Sequence, residues 1–169
     1  MADFPVGPNE RNRLRVLQAS GLVGGPAMPA LDELCQEAAR HFGVRTAIAT
    51  LLDGDIHILK AKAGIKATST PRNVAFCNYT ILEDRVFVLP DAATDERFAS
   101  NPLVTGPPFI RFYAGAPLIF QEEVRLGALC LLDDAPRQFS LGDRAELQEM
   151  ADRAVSMIAT VWFQLRAVE

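Results

Sequence analysis

No stretch of this 169-residue chain approaches the roughly 20 consecutive apolar residues that a bilayer-spanning helix requires. The opening MADFPVGPNERNRLR also lacks the apolar middle region of a secretory signal. No membrane partner is expected, and the expected location is cytoplasmic. Basic charge is in deficit as well: 17 Lys and Arg stand against 21 Asp and Glu, for a net charge of −4. That balance leaves no electrostatic footprint for nucleic acid, which calls for clustered Lys and Arg. Cysteine is scarce, and Cys35, Cys77 and Cys130 lie far apart without CxxC or Cys/His spacing, which argues against a disulfide framework or a zinc site. With His41 and His57 as the two histidines, no histidine-rich metal centre is expected, and no residue is assigned to a metal.

What is present is an ordinary globular balance, 49% hydrophobic and 22% charged, at a length that suits one domain spanning 1–169. The stretch NERNRLRVLQAS reads as a short helix with Leu14 and Leu17 as its apolar pair. A stronger helix follows in ALDELCQEAARHFG: Leu31, Leu34, Ala38 and Phe42 recur at helical spacing, Cys35 lies beside that stripe as core, and Gly43 stands where a C-terminal cap belongs. The period then changes. Asp53-Gly54 between two apolar runs predicts a two-residue hairpin in which Ala49 opposes Ile58 and Leu51 opposes Ile56, leaving His57 on the other face as a solvated strand residue. Residues 64–73 have loop composition, 74–83 read as a short helical or irregular segment, and RVFVLPDA as a short strand ended by Pro90. Thr94 or Asp95 offers an N-cap before a proline-rich connection. Residues 64–109 are thus mostly connection, and long connections inside a compact domain usually carry function.

The next strand, IRFYAGAPLIF, alternates. Phe112, Ala114, Ala116, Leu118 and Phe120 form an apolar set for a helix layer, while Arg111, Tyr113, Gly115 and Pro117 face the other way. Arg111 and Tyr113 on a face relieved by Gly115 describe either a roofed pocket for a small molecule or an exposed strand face with Arg111 in solvent. An odd-length loop, QEE, makes Phe120 oppose Val124 and places Cys130 across from Ala114, on the helix-packed side as buried core. Pro117 requires a bulge or an end of pairing nearby.

Three stretches taken in order, AFCNYTI, VLPDAATDERFASNPLVTGPPFIRFYAGAPL and LGALCLLDDAPRQFS, followed by a long terminal helix, resemble the GAF domain family of sensory modules over about residues 12–165. The resemblance implies an α+β fold of the GAF/PAS kind. A central antiparallel sheet of five or six strands would carry the terminal helices on one face, with short helices and loops covering a ligand cavity on the other. Carried across residue by residue, it places Phe76, Cys77, Thr80, Asp91, Phe98, Asn101, Arg111 and Tyr113 around that cavity, with Phe109 beside them. No cofactor is assigned, and the ligand is a small molecule of unknown identity. Cyclic-nucleotide-binding members carry an Asn-Lys pair that is missing here. Bilin-binding members follow their cysteine with histidine, whereas Asn78 follows Cys77. Neither Cys77 nor Cys130 matches the arrangement in methionine-sulfoxide reductases of this fold.

The expectation is therefore a non-enzymatic sensor with no catalytic residue. One alternative is a redox-active thiol enzyme or sensor using Cys77. Another is a ligandless dimerisation module whose cavity is filled by Phe76, Phe98 and Phe109. The carboxylates Asp95, Glu96, Asp133 and Asp134 fit ordinary helix-start and turn positions. Finally, Ser140 with Asp143 three residues on resembles a capping box and opens a helix over 140–166. Its seam of Leu147, Ala151, Ala154, Ile158, Val161 and Leu165 and its second stripe of Met150, Met157 and Trp162 suggest two covered sides. The resemblance implies a homodimer through the N- and C-terminal helices and a signalling output domain or protein as partner.

Overall fold

The computed structural model describes residues 4–121 and 124–167, so Glu122 and Glu123 of the predicted hairpin connection lie outside the described residues. Helix α1, Glu10–Ala19, buries Leu17 and Arg13, with Leu14 half-buried. Helix α2, Pro29–Phe42, starts on a proline whose missing N–H costs a first-turn residue nothing. It ends at Gly43, whose φ of 65° is the left-handed cap that favours glycine. Its stripe of Leu31, Leu34, Ala38 and Phe42 is buried as the spacing requires, and Cys35 with it.

Strands β1 (Thr46–Leu52), β2 (Ile56–Ala63), β3 (Ser69–Pro71), β4 (Phe87–Leu89), β5 (Phe112–Ile119) and β6 (Arg125–Asp133) form one antiparallel sheet in the order β3-β2-β1-β6-β5-β4. The fold is α+β with a six-stranded sheet. β1 and β6 are central, which is why both read as apolar on both faces. Short helices α3 (Cys77–Thr80) and α4 (Pro102–Thr105) and two 3-10 turns order the long connection. Asp95 caps the turn that follows it, its Oδ1 accepting from Arg97 N at 2.9 Å, while Asp91 caps the turn Ala92–Thr94 and Asn101 caps α4. Part of the predicted loop over 64–73 is β3, recruited by pairing with Ile56–Ile58.

Two register details decide which face each residue takes. In the β1–β2 hairpin Leu51 pairs with Ile58 and Leu52 with His57, so the connection is longer by two residues than the Asp53-Gly54 turn predicts. A shift of two preserves the faces. Between β5 and β6 the register slips by one between Leu118 and Ile119, so Gly115, not Ala114, opposes Cys130. A slip of one reverses the faces, and Cys130 leaves the helix-packed side. Pro117 stands one residue before this bulge, beyond the point where β4 ends opposite Gly115.

One face of the sheet carries the larger core, where Phe112, Ala114, Ala116 and Leu118 of β5 pack against the terminal helix α5, Leu141–Ala167, and α2 covers β1 and β2. Ser140 and Asp143 form the reciprocal capping box, with Ser140 N donating to Asp143 Oδ2 and Asp143 N to Ser140 Oγ, each at 3.0 Å. Leu147, Ala151, Ala154 and Ile158 are buried, and Met150, Met157 and Trp162 pack at the margin of the same core, so both stripes of α5 cover one surface. Among the described residues no helix is long and apolar enough to cross a membrane.

Candidate functional site

The second face of the sheet is roofed by the connection between β2 and β5 and encloses a cavity of about 310 Å³. Its wall is apolar, built from Ile48 of β1, Leu59 of β2, Leu132 of β6 and the roof residues Ile65, Leu103 and Ile110. At its outer edge Arg45 and Asp134, both solvent-exposed, pair at 3.1 Å. Its inner end holds His57, Cys77, Tyr113 and Cys130, all buried. This overturns the solvated placement of His57: the face opposite the helices is covered, so an outward residue of β2 still ends inside.

The inner groups are bonded to one another. His57 Nε2 lies 3.2 Å from Cys77 Sγ, and His57 Nδ1 lies 2.9 Å from Thr70 Oγ1. Thr50 Oγ1 donates to Cys77 Sγ at 3.7 Å. Tyr113 Oη sits 3.4 Å from Cys130 Sγ and 2.7 Å from Thr80 Oγ1. Gly115 makes this possible, because a Cβ there would fall 2.2 Å from Tyr113 Oη and 2.6 Å from Thr80 Oγ1.

Burial, the largest single influence, opposes ionisation of Cys77. The neighbouring Cys130 thiol, the charge and hydrogen bond of His57 and the Thr50 hydroxyl together outweigh it, and hold the Cys77 thiol well below the usual range. Burial raises Cys130 and Tyr113 well above theirs, and the adjacent Cys77 charge adds to both shifts. The surroundings thus favour the ionised form of one sulfur, which faces an imidazole, and the protonated form of the other beside it.

Cys77 is held in place from behind. The buried Asn78 side chain donates to Arg72 O at 2.7 Å and to Ala75 O at 2.9 Å, and accepts from Arg72 Nε at 2.8 Å. Arg72, 1% exposed, donates to both Glu10 carboxylate oxygens and to the backbone of Asp53. Burial would raise Glu10, but hydrogen bonds and charge from Arg13 and Arg72 bring it down to about 2. The start of α1 is therefore tied to the segment that presents the sulfur.

Of the residues named from sequence, Phe76, Cys77 and Tyr113 line the cavity. Thr80 stands behind Tyr113, and Phe98 packs against Phe76 with ring centroids 4.7 Å apart. Asn101 and Asp91 serve as caps, Asn101 also donating to Val74 O. Phe109 is 47% exposed. Arg111 donates to Val104 O and Ile110 O at 2.9 and 3.0 Å and stands apart from the cavity wall. Sequence reasoning missed His57, Thr70 and Cys130. A period-2 count from Cys77's partners could not find them, since the bulge and the roof decide where they point. Among the described residues no group of three His, Cys, Asp or Glu side chains is arranged to hold a metal.

A GAF domain family model matches residues 29–158. A cyclic di-GMP phosphodiesterase of Pseudomonas aeruginosa is 36% identical over 162 residues, covering 95% of this chain and 28% of that protein, so the chain spans less than a third of that relative's length. The solved GAF domain of an Acinetobacter phosphoenolpyruvate-protein phosphotransferase superposes with a TM-score of 0.66 at 19% identity, covering 92% of this chain and 95% of that one. A type II free methionine-R-sulfoxide reductase from Thermoplasma acidophilum gives 0.65 at 17% identity, covering 78% and 92%. At such identities these two structures speak for the fold alone. The expectation of a domain without catalytic capacity is corrected: one relative bears the name of a phosphodiesterase, and the geometry sets Cys77 Sγ 3.2 Å from His57 Nε2, a juxtaposition that the sequence spacing concealed.

Proposed function

We propose a function from one premise: this chain belongs to the GAF domain family. Within that sensory and regulatory family, its cavity is a redox-active thiol site that takes up a small molecule. The observation that carries this reading is the Cys77 sulfur, 3.2 Å from His57 Nε2 in the wall of a roofed cavity, with the Cys130 thiol beside it. Cys77 is the nucleophile. His57, oriented by Thr70, keeps the sulfur ionised and returns a proton to a leaving group. An oxygen-donating molecule oxidises Cys77 to the sulfenic acid by two electrons. The Cys130 thiol then attacks that sulfur, forming the Sγ–Sγ bond and releasing water. A small-molecule dithiol or protein dithiol restores both thiols.

The likeness to part of a phosphodiesterase supports a regulatory place for the domain beside an output in a longer protein. The bond network from Cys77 through Asn78 and Arg72 to Glu10 supports relay of the oxidation state to α1. Iodoacetamide labelling read by peptide mass spectrometry tests the reading. Cys77 should be alkylated at pH 6.5 and protected after treatment with excess hydrogen peroxide, and Cys130 should appear in a disulfide with it. A Cys77 that stays unlabelled and unoxidised in the folded protein removes the proposal.

A further inference from the structure

The geometry points to an organic hydroperoxide with a neutral, apolar body as the substrate of this site, reduced by Cys77 to the corresponding alcohol. This inference rests on the thiol reading above and names what enters the cavity. The space beside the sulfur is about 310 Å³, on the order of ten water-sized volumes, and its wall is hydrocarbon from Ile48, Leu59, Ile65, Leu103, Ile110 and Leu132. Hydrogen peroxide gains nothing from such a wall. An alkyl or aryl body gains roughly fourfold in occupancy for each methylene equivalent buried.

Charge narrows the class further. Arg111 spends its guanidinium on two backbone carbonyls, and Arg45 at the outer edge is paired with Asp134 beside Asp133. Among the described residues lining the inner cavity, His57 is the one basic side chain, and it faces the Cys77 sulfur. A carboxylate or phosphate therefore finds no counterion, and a free amino acid finds no clamp for its carboxyl group.

Where the proton is needed selects among oxygen donors. The Cys77 thiolate attacks the terminal oxygen of ROOH, the O–O bond breaks, and RO⁻ leaves with the single proton that His57 Nε2 supplies, giving ROH and Cys77 sulfenic acid. The Cys130 thiol attacks the sulfenic sulfur, and its proton leaves with the hydroxide as water. A sulfoxide passes its oxygen to Cys77 with the same single proton, but that oxygen must be protonated before the thiolate attacks, and among the described residues the inner lining holds no carboxylic acid to do so. The second nearby donor, the Tyr113 phenol, is engaged by Thr80 and Cys130.

The test compares oxidation of Cys77 in the reduced full chain by cumene hydroperoxide, by hydrogen peroxide and by methyl phenyl sulfoxide, with thiols mapped by mass spectrometry and cumyl alcohol quantified. Cumene hydroperoxide should react at least about tenfold faster than hydrogen peroxide, with one alcohol formed per disulfide, and the sulfoxide should leave Cys77 reduced. In Cys130→Ser the reaction should stop at a sulfenic acid trapped by dimedone. Equal or faster reaction with hydrogen peroxide, or turnover of the sulfoxide, overturns the substrate assignment and leaves the thiol reading standing. Absence of Cys77 oxidation by all three removes both. A folded Cys77→Ser chain, checked by circular dichroism, that still forms cumyl alcohol at the original rate overturns the assignment as well.

Discussion

Cys35 and Cys77 are both buried in apolar surroundings, yet they are opposite kinds of sulfur. Cys35 sits on the helix side among Leu31, Leu34 and the sheet, and burial, with the charge of Asp32, pushes its thiol up to about 12. Cys77 sits on the roofed side, where burial acts in the same direction but His57, Cys130 and Thr50 reverse it. Burial by itself therefore makes a cysteine inert, and a polar cluster inside the same low-dielectric interior makes it reactive. The two faces of the sheet differ accordingly: one is a dry packed core, the other is hollow and holds the thiol cluster.

The largest effect expected from this contrast is on the dry face. Leu118→Ala removes a fully buried side chain and should cost about 2–5 kcal/mol in urea denaturation. Cys77 alkylation under native conditions should change little. A cost below about 1 kcal/mol, or a matching loss of Cys77 reactivity, would break the division. Next, Glu10→Gln removes the carboxylate between Arg13 and Arg72 and should cost about 2–3 kcal/mol at neutral pH. Because Glu10 is held down to about 2 from 4.5, its contribution is present above about pH 4.5 and is lost as pH falls through about 2. The difference between the two proteins in acid titrations should vanish there.

A smaller effect on stability but a clear one on chemistry is expected of His57→Gln. The Cys77 sulfur faces His57 from β2, Cys130 from β6, Thr50 from β1 and, beyond Cys130, Tyr113 from β5. Without the imidazole, alkylation at pH 6.5 should slow by about tenfold or more, while the change in stability stays within about 1 kcal/mol. Cys35 should remain unlabelled until pH nears 12 in both proteins. The smallest effect is expected at the exposed ring of Phe163, 65% accessible on α5. Phe163→Ser should shift stability by no more than about 0.5 kcal/mol in the same urea assay.

Much of the fold was legible because it follows from short-range rules. The stripe of α2, its glycine cap, the capping box of α5 and the alternation of β5 each depend on neighbours within a few residues, and each appears where the pattern puts it. The candidate site was less so. Cys77 and Tyr113 could be placed in the cavity region from sequence, but Cys130 was assigned to the helix side because one bulge near Pro117 changes every face beyond it. His57 was given to solvent because nothing local tells a strand residue that a roof folded from residues 64–109 will cover it.

The amino-acid sequence determined the elements, most of their caps and the two-faced sheet. Only the tertiary structure brought His57, Cys77, Cys130 and Tyr113 together from four separate segments, and buried them at the inner end of one cavity. Periodicity is a property of adjacent residues, whereas the ionisation of a buried thiol is set by whichever distant groups the folded chain brings within hydrogen-bond reach.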